Sequence, residues 1–240
     1  MPAATVCLES GRVETGQLDT ARLDAPLIFR VYLPPCYDRQ LDTFFPVLYL
    51  LHGQGFSDEQ WERMGVVQVA ETLMAQGDIP PLLIVMPAEQ DHYAPPERNP
   101  YGEVLVDELL PYIEANYRVR PERAYRAIGG VSRGGNWALY LGVQRWDVFA
   151  AVGAHSTPFF RTHLPADLRA WVRAIPAGRW PRFFLDAGMD DPGLEPILRV
   201  EQVLTEEGIP HEWHLNRGAH DEAYWSAHLR DYLLWYTEQW

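Results

Sequence analysis

The chain has 240 residues, 47% hydrophobic and 22% charged, enough to bury a large core in an ordinary globular protein. Lys plus Arg number 20 against 33 Asp plus Glu, and a net charge of -13 repels phosphate backbones, so nucleic acid is not an expected partner. No apolar run reaches membrane-spanning length and no basic amphipathic segment is present, so no membrane partner is expected either.

The first residues, MPAATVCLESGRVETG, lack a basic leader and an apolar h-region, so no signal peptide is visible. Cytoplasm is the default expectation, with secretion the reading if a leader precedes this sequence. Cys7 and Cys36 show no metal-type spacing and are expected to be free thiols. Without repeats, low-complexity tracts or Ser/Gly linkers, a single domain over 1–240 is expected.

The opening segment through PLIFRVYLPPCYD reads as strands broken by turn signals, an antiparallel start. FPVLYLLHG, Phe45 to Gly53, is a continuous apolar run of the kind a strand buried on both faces carries. A helix is predicted around Val66 to Ala75, and LLIVMP, Leu82 to Pro87, repeats the buried-strand pattern. GEVLVDELLPYIEANY places Val106, Leu109, Leu110 and Ile113 on one helical face. AYRAIGGVS, VFAAVGAHS, RFFLDAGMDD and HEWHLN read as further strands. GGNWALYLGVQ, EPILRVEQVLTEEG and the terminal DEAYWSAHLRDYLLWYTEQW read as helices, the second closed by Gly208. Strands alternating with helices predict an α/β fold, a mainly parallel central sheet flanked by helices.

Gly130-Val131-Ser132-Arg133-Gly134 matches G-x-S-x-G at a strand-to-helix junction. Such a turn exposes a serine hydroxyl, and the glycines two residues either side let strand and helix approach closely. A hydroxyl is a poor nucleophile until a base takes its proton, so a histidine and a carboxylate should follow in the order Ser, acid, His. His220, in the loop between the last strand and the terminal helix, is the candidate base. His211 and His214 fall on opposite strand faces and are poor partners for one metal, and His228 lies within the terminal helix. Asp190 and Asp191 both occupy the turn where the acid belongs, and residue type alone does not separate them. Asp186, still within the strand, reads as structural. A tetrahedral oxyanion needs two preorganised donors: the backbone N–H of Arg133, and that of Gln54 in the glycine-flanked HGQG loop.

Together these segments resemble the serine esterase family of the α/β-hydrolases, which includes esterase D-like, feruloyl and acetylxylan esterase-like and enterochelin esterase-like proteins. VYLPPCYD is similar to its opening strand, FPVLYLLHGQGFSDEQW to its oxyanion-loop region, and ELLPYIEANYRV with AIGGVSRGGNWAL to its helix and elbow. GMDD and GAHDEAYW resemble its acid and base blocks, and the likeness runs from about Leu27 to the end. The resemblance implies Asp191 as the acid, and the α/β-hydrolase fold. It further implies a serine carboxylic-ester hydrolase that forms an acyl-enzyme with a short-chain, aryl or feruloyl/acetyl-type ester. No metal or cofactor is called for. The partner implied is a small-molecule ester.

Arg133 stands where the family more often has Met, Gln or Leu, and its cation either helps hold a polar or acidic substrate or pairs with a neighbouring carboxylate. Gly53, Tyr93, Tyr101, His155 and Phe159 are candidates for lining the substrate pocket. Little chain is left for a lid, so an open cleft is expected. Two other readings use the same fold: acyl transfer on the same residues, and a catalytically silent binding domain. An intact Ser, acid, His and glycine set weighs against the silent domain.

Overall fold

The computed structural model describes residues 9–240. In chain order its strands are β1 (Arg12–Leu18), β2 (Leu27–Leu33), β3 (Val47–Leu51), β4 (Leu83–Pro87), β5 (Arg126–Val131), β6 (Ala151–His155), β7 (Arg182–Gly188) and β8 (Glu212–Asn216). The helices are α1 (Gln60–Arg63), α2 (Val66–Gln76), α3 (Tyr101–Val104), α4 (Leu110–Asn116), α5 (Arg133–Gln144), α6 (Pro165–Ala174), α7 (Leu194–Glu206) and α8 (Glu222–Thr237).

All eight strands join one sheet in the order β1-β2-β4-β3-β5-β6-β7-β8. β1 pairs antiparallel with β2, and β2 with β4, as the opening segment predicts. Every later pairing is parallel. The unbroken apolar run of β3 is explained by burial on both faces. Val47, Tyr49 and Leu51 enter the core under the α3–α4 segment and α5 to α7, while Leu48 and Leu50 enter the one under α1, α2 and α8.

Two local results go beyond the periodicity. The predicted helix from Gly102 is divided by a π turn at Leu105–Leu109, just before Pro111, which has no N–H to continue an α ladder. Val106, Leu109, Leu110 and Ile113 are nonetheless all buried. α6, absent from the sequence reading, carries only Leu168 and Val172 as buried residues, too sparse a stripe to announce a helix. The expectation of two free thiols fails at Cys36, which is disulfide-bonded. Cys7, the other cysteine of that expectation, lies outside the described residues.

No helix among the described residues is long and apolar enough to cross a membrane. The segments that follow β3, β5, β7 and β8 meet at the carboxyl edge of the sheet, where open α/β sheets bind ligands.

Candidate active site

Ser132 sits between β5 and α5 with φ 53° and ψ -116°, a positive-φ conformation that a non-glycine residue adopts only when its surroundings impose it. The surroundings are backbone. A Cβ on Gly130 would lie 2.2 Å from the carbonyl carbon of Gly134, and one on Gly134 would lie 2.1 Å from the Leu51 oxygen. Glycine is therefore required at both flanks. The Ser132 N–H donates to the His155 carbonyl at 2.8 Å, and its own carbonyl accepts the Asn136 N–H at 3.0 Å, which anchors both sides of the turn.

His220 and Asp191 come to this serine from the ends of β8 and β7. His220 Nε2 lies 2.9 Å from Ser132 Oγ, and Nδ1 lies 2.8 Å from Asp191 Oδ2. Asp191 is buried, and its other oxygen accepts the Gly193 N–H at 2.7 Å. Asp190, the alternative left open by residue type, is exposed and has no part in the relay. With Nδ1–H held by the carboxylate, the imidazole presents the lone pair of Nε2 to the hydroxyl, as proton transfer from serine requires.

The β3 loop is fixed by a residue that motif reading passed over. His52 is buried, its Nδ1–H donating to the Gly53 carbonyl at 2.8 Å while Nε2 accepts the Glu89 N–H at 2.8 Å. Burial pushes its pKa down to about 4, so the ring is neutral at pH 7, the form in which one nitrogen can donate and the other accept. The Gly53 carbonyl shares a rigid peptide plane with the Gln54 N–H, pointing the opposite way. Holding the carbonyl therefore aims the Gln54 donor. Gln54, Ser132 and Arg133 line a common cavity.

Arg133 resolves to the ion-pair alternative. Its guanidinium makes a two-point contact with the buried Glu89 carboxylate, Nε lying 2.6 Å from Oε2, and Nη2 also donates to the Asp91 and Ala94 carbonyls. Trp137 Nε1 and Asn99 Nδ2 donate to the same carboxylate at 2.9 and 2.8 Å. Burial pushes the Glu89 carboxyl up, and the hydrogen bond and charge of Arg133 oppose that rise. The pair ties the loop after β4 to the elbow helix.

Of the pocket candidates, Gly53 lines the cavity on the His220 side, and Tyr93 and Phe159 line the cavity on the other side. Tyr101 and His155 do neither, which corrects the expectation. Tyr101 is buried with its ring edge-on to Trp137. His155 points beneath the sheet, where Nδ1–H donates to Asp186 at 2.7 Å and Nε2 faces the Tyr236 hydroxyl at 3.0 Å. Larger cavities of about 520 and 630 Å³ near Trp180 and His214 contain none of the relay residues. Among the described residues no group of three or more His, Cys, Asp or Glu is placed to hold a metal ion.

Residues 20–236 match the family described as "Putative esterase". The chain belongs to this esterase family. The family member is 28% identical over 222 residues to an endo-1,4-beta-xylanase/feruloyl esterase of Xylanibacter ruminicola, covering 88% of this chain and 28% of that protein. It is 33% identical over 135 residues to an esterase of Mycobacterium tuberculosis, covering 53% of this chain and 28% of that protein. It therefore spans little more than a quarter of the curated relatives it matches. Among solved structures, a ferulic acid esterase superposes with a TM-score of 0.86 at 29% identity, over 96% of this chain and 98% of that one. The fold is that of the α/β-hydrolase esterases.

Proposed function

We propose that this esterase-family chain is a serine carboxylic-ester hydrolase, and the observation that carries the reading is the continuous Ser132–His220–Asp191 hydrogen-bond relay. Ser132 Oγ attacks the ester carbonyl as His220 Nε2 takes the hydroxyl proton. The resulting oxyanion is held by the backbone N–H groups of Gln54 and Arg133, and Asp191 stabilises the imidazolium. Collapse of the intermediate breaks the bond to the alcohol oxygen, which leaves with the proton from His220. Water then adds to the acyl-enzyme by the same route, releasing the acid and restoring Ser132. The His220 side chain is 28% exposed, and this access to solvent favours water over another acceptor.

Similarity to a ferulic acid esterase, together with Phe159 and Tyr93 in the cavity beside Ser132, supports an aryl or short-chain acyl ester. The unit that acts is a single domain, supported by the one sheet to which all eight strands belong.

The test is hydrolysis of 4-nitrophenyl esters from acetyl to octanoyl. Wild type should turn over the short chains, Ser132→Ala should lose turnover, and Asp191→Asn should lower kcat by about 10³ to 10⁴ through loss of the productive tautomer. Undiminished turnover by Ser132→Ala would sink the proposal.

A further inference from the structure

Ser132 lies between two cavities of opposite charge. On one side, a cavity of about 470 Å³ is lined by His220, Trp225, Asp221 and Glu222. On the other, a cavity of about 360 Å³ is lined by Arg98, Arg161 and His92, with Tyr93 and Phe159 as aromatic walls. Most arginines of this acidic chain meet a carboxylate, as Arg63 meets Glu222 and Arg230 meets Asp78. Among the described residues Arg98 and Arg161 have no carboxylate partner. Glu97, beside Arg98 in sequence, is engaged with His163 and Thr162. His92 adds a third donor: its Nδ1 accepts the Gly55 N–H at 2.7 Å, so the neutral ring carries its proton on Nε2.

The chemistry assigns the two arms. His220 must hand its proton to the departing alcohol oxygen, so the alcohol occupies the cavity that His220 lines, and the acyl group occupies the arginine side. Two unpaired guanidinium groups at the rim of a small cavity, in a molecule whose net charge of -13 repels anions elsewhere, form a local positive field suited to a planar carboxylate. The opposite arm offers the anion no arginine: it is lined by Asp221 and by Glu222, which is already paired with Arg63, and this difference sets the orientation.

Resting on the esterase reading above, we propose that the substrate is an ester whose acyl chain ends in a carboxylate, held by Arg98 and Arg161, with the aromatic walls packing the linker between that anion and the reacting carbonyl. Arg98 and Arg161 then select the acyl group, the role the Arg133 side chain cannot fill because Glu89 already occupies it.

Mono-4-nitrophenyl adipate and 4-nitrophenyl hexanoate have the same chain length and leaving group and differ in the terminal charge. Wild type should favour the adipate in kcat/KM by about tenfold at low ionic strength, and the preference should shrink toward unity near 0.5 M salt, where a surface field is screened. Arg98→Gln and Arg161→Gln should each lower the adipate-to-hexanoate ratio several-fold, and the double variant should abolish the preference. Retained labelling of Ser132 by a fluorophosphonate shows that the variants are folded, and the salt dependence of the wild type tests the idea even where they are not. Turnover of both esters with a ratio at or below one, or a ratio the double variant leaves unchanged, overturns this inference alone. Inertness toward both esters, with no labelling of Ser132, overturns the esterase reading and this inference with it.

Discussion

At the scale of single residues, His52 does work that no motif announces. It joins the loop after β3 to the loop after β4 through one nitrogen each, and this depends on the ring being neutral. Its folded pKa, about 4, lies below the ordinary histidine value of 6.5, so the unfolded chain binds a proton that the folded one refuses between those values. The contribution is complete above pH 6.5 and is lost as pH falls toward 4, amounting to about 3 kcal/mol. Urea unfolding of wild type from pH 7 to 4.5 should show this fall, and His52→Gln should flatten the slope over the same window. An equal slope in the two proteins would mean that the ring is not held neutral.

The element that decides the site is the β5–α5 junction, and its demand is geometric. Gly130 and Gly134 are there because backbone from β3 and from α5 occupies the space a Cβ would need. A methyl group on Gly134 would meet the Leu51 and His52 carbonyl oxygens at 2.1 and 2.6 Å, neither of which can move without disturbing β3. Gly134→Ala should therefore destabilise the protein by more than about 3 kcal/mol. Gly77 is the comparison: it ends α2 at φ 77° with nothing within 4 Å of an added Cβ. Gly77→Ala should cost only about 1 kcal/mol, the backbone term alone. Equal denaturation midpoints for the two variants would contradict this close approach.

Across the whole molecule, α8 is clamped to the sheet beneath the relay by a buried polar network. Asp186, with no exposed surface, accepts the Tyr224 and Tyr232 hydroxyls at 2.7 Å each and the His155 Nδ1–H at 2.7 Å. Burial first, then the Asp186 charge, holds both phenols well above their ordinary pKa, so they remain protonated donors. Tyr232→Phe removes one donor from a carboxylate that keeps two others, and should cost about 1–2 kcal/mol. Asp186→Ala leaves three buried donors without an acceptor and should cost about 3–5 kcal/mol. Chemical denaturation measures both, and near-equal losses would mean that the carboxylate is not the hub.

Much of this molecule is written in local order along the chain. Apolar runs, helical spacing and their alternation give the parallel sheet, because strands buried on both faces have no polar face to alternate with. G-x-S-x-G at a strand end marks Ser132, since the turn has few sequences that satisfy its sterics, and the order of acid and base after it leads to His220. Tertiary structure alone decides the pairings. It sets Asp191 buried against His220 and Asp190 in solvent, a choice that residue type leaves open and that only the family resemblance implies beforehand. It turns Arg133 onto Glu89, a carboxylate 44 residues earlier in the chain. It sends His155 below the sheet to Asp186 and brings His52 to the backbone of Glu89. Arg98 and Arg161 reach one cavity from separate loops. In each case the partner is distant in sequence, so no local period or spacing encodes it; the packed sheet brings the two together.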